Sequence, residues 1–133
     1  MTKAVKIVSV AVAAVLIFAA YKTASIALTD SADYTRSDWL TYKLIAPDEI
    51  KGAPLLVDET PLHFRATDGN SPQVDEVEYG KGTDETVLAD YLVSLGYHQV
   101  DDPVFGKRWA KEGSDKSAYI AKTDNAVRLT FTD

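Results

Sequence analysis

Hydrophobic positions follow two regimes along the chain. Positions 7–20 are apolar apart from Ser9, whereas beyond residue 30 apolar residues recur at strand or helix spacing. The first block has no polar stripe, so it does not read as the one-sided helix of a soluble fold. Its 14 residues match the roughly 7–15 of a secretion-signal core better than the roughly 17–25 of a full span. Counted over 4–28, however, the segment is long enough to cross a bilayer if Lys22 snorkels to the headgroups. Tyr21 beside it suits an interfacial anchor. Ser25 and Ala27 provide the small residues of a possible cleavage after Ala27. Span length and the Tyr21–Lys22 pair favour a retained anchor over 1–28, with a cleaved signal as the alternative. In either case the basic start stays in the cytoplasm and the rest is exported. The expected location is therefore the inner membrane, single pass, with the C-terminal domain periplasmic. After cleavage the domain is soluble in the periplasm or secreted.

Residues 29–37 are polar and rich in turn formers, which predicts a linker before an exported domain over 38–133. In "SDWLTYKLIAP" Ser37 is a candidate cap for a helix with Leu40 and Leu44 on one face, stopped by Pro47. Trp39 and Tyr42 fall near the membrane exit, as headgroup contacts or as core. "PLHFRATDGN" alternates Leu62, Phe64 and Ala66 against His63, Arg65 and Thr67, a half-buried strand ended by a turn. "QVDEVEY" continues with Val77 and Tyr79 opposite Glu76 and Glu78. A helix follows, with Thr83 as N-cap, an apolar face of Val87, Leu88, Tyr91, Leu92 and Leu95, and Gly96 at the left-handed C-terminal position. Three or four more strands include "AVRLTFT", entered through an Asp124–Asn125 turn. The expected fold class is α+β. An N-terminal transmembrane helix precedes a small two-layer domain with an antiparallel sheet of about five strands, in the order β-β-α-β-β-β. One main helix packs on one face.

Charge sharpens this picture. Lys3, Lys6 and Lys22 are the only charged residues before Asp30, so of the net −6 the first 29 residues carry +3 and the remainder −9. An acidic domain repels phosphate backbones and argues against nucleic-acid binding. It favours partners with a basic contact surface. The absence of cysteine excludes a lipid-modified cysteine, a thiolate nucleophile and cysteine-built zinc sites.

The candidate chemistry is sparse, and no cofactor is implied. Gly80-Lys81-Gly82 lacks the third glycine of a dinucleotide fingerprint and the Lys-Ser/Thr of a P-loop, and Asp84 and Glu85 repel phosphate there. His63 and His98 are the only histidines, and no Gly-x-Ser-x-Gly elbow accompanies them. The carboxylate pairs Asp48–Glu49, Asp58–Glu59, Asp75–Glu76, Asp84–Glu85 and Asp101–Asp102 read as solvated surface, since neighbours on a strand point apart. "VDDPVFGKRW" sets Phe105 between Asp101–Asp102 and Lys107–Arg108, the composition of a partner-binding loop. These features predict a non-catalytic, membrane-tethered protein-binding module. Its most concrete form is an inhibitor or immunity protein against an envelope-acting toxin or hydrolase, or an accessory subunit. A small periplasmic enzyme or ligand binder using a histidine and a carboxylate is the alternative.

Overall fold

The computed structural model describes residues 2–104 and 106–133. α1 (Lys3–Ala27) is one continuous helix with no buried residue. An 18-residue stretch of it has a mean hydropathy of 2.3, which makes the helix long and apolar enough to cross a membrane or to serve as a signal sequence.

Three residues later the chain enters a sheet. β1 (Ser31–Tyr34) is followed by α2 (Trp39–Ile45), α3 (Asp48–Lys51), β2 (Leu62–Arg65) and β3 (Val74–Gly80). Then come α4 (Glu85–Ser94), β4 (Tyr97–Asp102), β5 (Gly106–Lys111), β6 (Ser117–Lys122) and β7 (Ala126–Thr132). Among the described residues, seven strands form one antiparallel sheet in the order β1-β2-β3-β7-β6-β5-β4. After β3 the chain crosses the sheet through α4 to the far edge, then returns strand by strand until β7 fits beside β3.

The α+β class and antiparallel sheet agree with the sequence pattern, but seven strands replace the expected five or so. β1 is one addition. It lies within 29–37, where a linker is expected, yet Tyr34 pairs with Leu62 and is buried. Beyond α4, four strands form, the fullest version of the three or four expected.

Alternation sorts the sheet into two faces. Val77 and Tyr79 of β3, with Val127, Leu129 and Phe131 of β7, meet Leu88 and Leu92 of α4 and Ile50 of α3 in one core cluster. Tyr79 donates to the Pro54 carbonyl (2.8 Å) and Tyr91 to that of Glu49 (2.6 Å), fastening the α3 region to sheet and helix. Two local details differ from the sequence reading. Asp84, not Thr83, caps α4 by accepting from the Thr86 N–H (2.9 Å), while Thr83 Oγ1 donates back to Gly80 O (2.7 Å). α2 likewise begins after Asp38 rather than Ser37. Gly96 does adopt the left-handed conformation, with φ +94°.

Candidate functional site

The face of the sheet away from this core is polar, and register alone assembles a cluster on it. Asp33 of β1 stands opposite His63 of β2, His63 opposite Glu76 of β3, Glu76 opposite Thr130 and Glu78 opposite Arg128 of β7. His63 Nδ1 lies 2.7 Å from Asp33 Oδ1, and Nε2 lies 3.8 Å from Glu78 Oε2. Arg128 bridges Glu78 (2.8 Å) and Glu76 (3.5 Å), and Thr130 Oγ1 donates to Glu76 (2.9 Å). A cavity of about 390 Å³, open to solvent, lies over Asp33, His63, Glu76, Glu78 and Arg128. Glu76 and Glu78 share the Arg128 guanidinium, Asp33 pairs with His63, and Arg65 also lines the cavity, so three carboxylates stand against two guanidiniums. Arg128 Nε is buried without a hydrogen-bond partner among the described residues. This arrangement suits a cationic group arriving from outside. No serine or threonine hydroxyl is paired with His63 among the described residues, so the cluster lacks the nucleophile–base contact of a hydrolytic triad.

His98 of β4 points to the same face but is five strands away, on the order of 24 Å at normal strand spacing. The two histidines are not brought together. Among the described residues no three His, Asp or Glu side chains are placed to hold a metal ion.

Asp101, Asp102, Lys107 and Arg108 lie on the β4–β5 hairpin at the sheet edge farthest from β1. Asp101 stands opposite Lys107 in the register. Asp102 lies 3.6 Å from Arg108, and its Oδ1 accepts from the Val104 N–H. Arg108 also donates to Ser117 Oγ (3.0 Å). These contacts hold the charged pairs in the hairpin, while Val104 is 77% exposed at the turn. Phe105, the proposed centre of that surface, lies outside the described residues. Tyr21 and Lys22 are exposed on the last third of α1.

The reading of all acidic pairs as solvated surface fails most clearly at Asp75, while Glu49 and Glu76 are partly covered and ion-paired. Asp75 faces the core and is 5% exposed, and its Oδ2 accepts from Gln73 Nε2 (3.0 Å). Its neighbour Glu76 points to the open face, so the pair is split between two environments. Burial pushes the Asp75 carboxyl above the usual carboxylate range; Gln73 opposes this, Glu49 adds to it, and Lys116 and Asp133 contribute smaller opposed effects.

The Asp33–His63–Glu78 grouping escaped sequence reasoning because Asp33 sits in a stretch that looks like linker. The alternation Ala32/Tyr34 against Ser31/Asp33 is the one signal that would have found it. No protein-family model matches the chain, and no curated protein or solved structure is significantly similar to it.

Proposed function

We propose that this protein is a membrane-anchored, non-catalytic module of the cell envelope that binds another protein through the open face of its sheet. α1 anchors it in the inner membrane with the N-terminus cytoplasmic and the domain periplasmic. If α1 is instead cut after Ala27, the same domain is released. An inhibitor or immunity protein against an envelope-acting toxin or hydrolase is the most concrete form; an accessory subunit of an envelope complex fits the same features. The observation that carries this reading is the uncovered sheet face on which three carboxylates, Asp33, Glu76 and Glu78, stand against two guanidiniums, Arg65 and Arg128. A lysine or arginine of the partner would complete that charge balance.

The reading as a small enzyme or ligand binder has one observation behind it, the His63–Asp33 contact at the edge of the cavity. Affinity capture from detergent-solubilised membranes separates the two. The wild-type chain is expected to retain a protein that elutes with salt, and Asp33→Lys/Glu78→Lys is expected to lose it. Retention by a folded Asp33→Lys/Glu78→Lys variant, with loss in Asp101→Lys/Asp102→Lys, would move the docking surface to the hairpin. A His63-dependent small ligand, seen by mass spectrometry of the native protein, would favour the second reading.

A further inference from the structure

The apolar length of α1 fixes where the domain sits relative to the lipid. Positions 7–20 rise only about 21 Å as helix, whereas the hydrocarbon layer is about 30 Å thick and takes about 20 residues. Starting from Ile7, the far boundary falls near Ile26, with Lys22 reaching outward to the headgroups. Ser25 and Ile26 are the α1 residues that line a groove against Thr41 and Ile45 of α2. α2 is therefore packed sideways on α1 at the depth where α1 leaves the hydrocarbon. The connection adds to this constraint. Only 28–30 separate α1 from β1, so the four links from Ala27 to Ser31 reach at most about 14 Å. The domain has no slack to stand away from the surface.

On α2, Trp39 and Lys43 are one turn apart and about 200° around the helix from Thr41 and Ile45. They lie on the side of α2 away from α1. Trp39 is 69% exposed, while Tyr42 on the same helix packs against the core. An exposed indole beside a lysine at this depth has the chemistry of an interfacial anchor: an apolar ring, an N–H donor and a cation for lipid phosphate. We propose that α2 is a second membrane contact, seating Trp39 and Lys43 in the headgroup layer so that the domain lies on the bilayer rather than hanging from it. This rests on α1 being retained as an anchor.

The test uses the full chain reconstituted in phosphatidylethanolamine–phosphatidylglycerol vesicles. Trp109→Phe leaves Trp39 as the sole tryptophan. Its emission is expected to shift to the blue and to be quenched mostly by bromine near the glycerol end of the acyl chains. A parallel chain carrying Trp39→Phe, Trp109→Phe and Phe18→Trp reports on α1 and is expected to be quenched by deep bromine. If Phe18→Trp is quenched and Trp39 remains water-like, the headgroup contact is wrong and the anchor stands. If neither is quenched, the anchor reading falls and this contact with it. Because Trp109 packs against the core, Lys43→Cys with an environment-sensitive dye gives an independent reading in a chain otherwise free of cysteine. A dye signal unchanged between detergent-free vesicles and buffer would also overturn the proposal.

Discussion

Asp75 holds a carboxyl group in the packed layer between sheet and helices, with Oδ1 lacking a hydrogen-bond partner among the described residues. Burial raises its pKa in the folded chain, so the folded state binds that proton more tightly than the unfolded one. Stability from this group is therefore greatest while it is protonated and declines as pH rises from about 3.9, the ordinary aspartate value, through its raised folded value. Asp75→Asn removes the titration. Urea unfolding at a series of pH values should show the variant gaining on wild type as pH rises toward neutrality. A difference that stays constant across the series would contradict this account. The position was legible in the period of two, which places Asp75 with Val77 and Tyr79. Only the habit of reading paired carboxylates as surface hid it.

At the scale of elements, α4 is where local signals and tertiary structure agree. Its five apolar positions recur at helical spacing, and two of them, Leu88 and Leu92, are fully buried under the sheet. Leu92→Ala should cost about 3 kcal/mol in thermal or urea unfolding, since the surrounding strands cannot close over the cavity. Asp84→Ala should cost about 1 kcal/mol through loss of the Thr86 N–H acceptor. Equal, negligible losses for both would mean α4 is not the cover of the core. β1 represents the opposite case. Its four residues are Ser, Ala, Asp and Tyr, a composition with little strand preference, and its partner lies about thirty residues along the chain. Its strand character comes from pairing with β2 and from the seat of Tyr34, neither of which exists locally. Seven strands rather than five follow from such edges, which tertiary pairing creates.

For the whole molecule, the consequence is where the folded domain begins. α1 buries none of its residues, whereas β1 places Tyr34 in the core and Asp33 against His63. A chain starting at Leu28, as after cleavage, keeps every strand. One starting at Asp38, after the polar stretch, removes the edge strand and uncovers β2. The first truncation is therefore expected to be soluble and to unfold cooperatively. The second loses a buried tyrosine, comparable to an aromatic-to-alanine change of about 3–5 kcal/mol, together with its ladder of hydrogen bonds. It should melt far lower or fail to fold. Circular dichroism melts of the two truncations measure the difference directly, and coincident melting curves would return 29–37 to the status of a linker. Under the proposed docking on the open face, Asp33 is expected to matter for binding as well as for stability. Only the longer chain carries the complete Asp33–His63–Glu78 face, so only it is expected to hold the partner captured by the full-length protein.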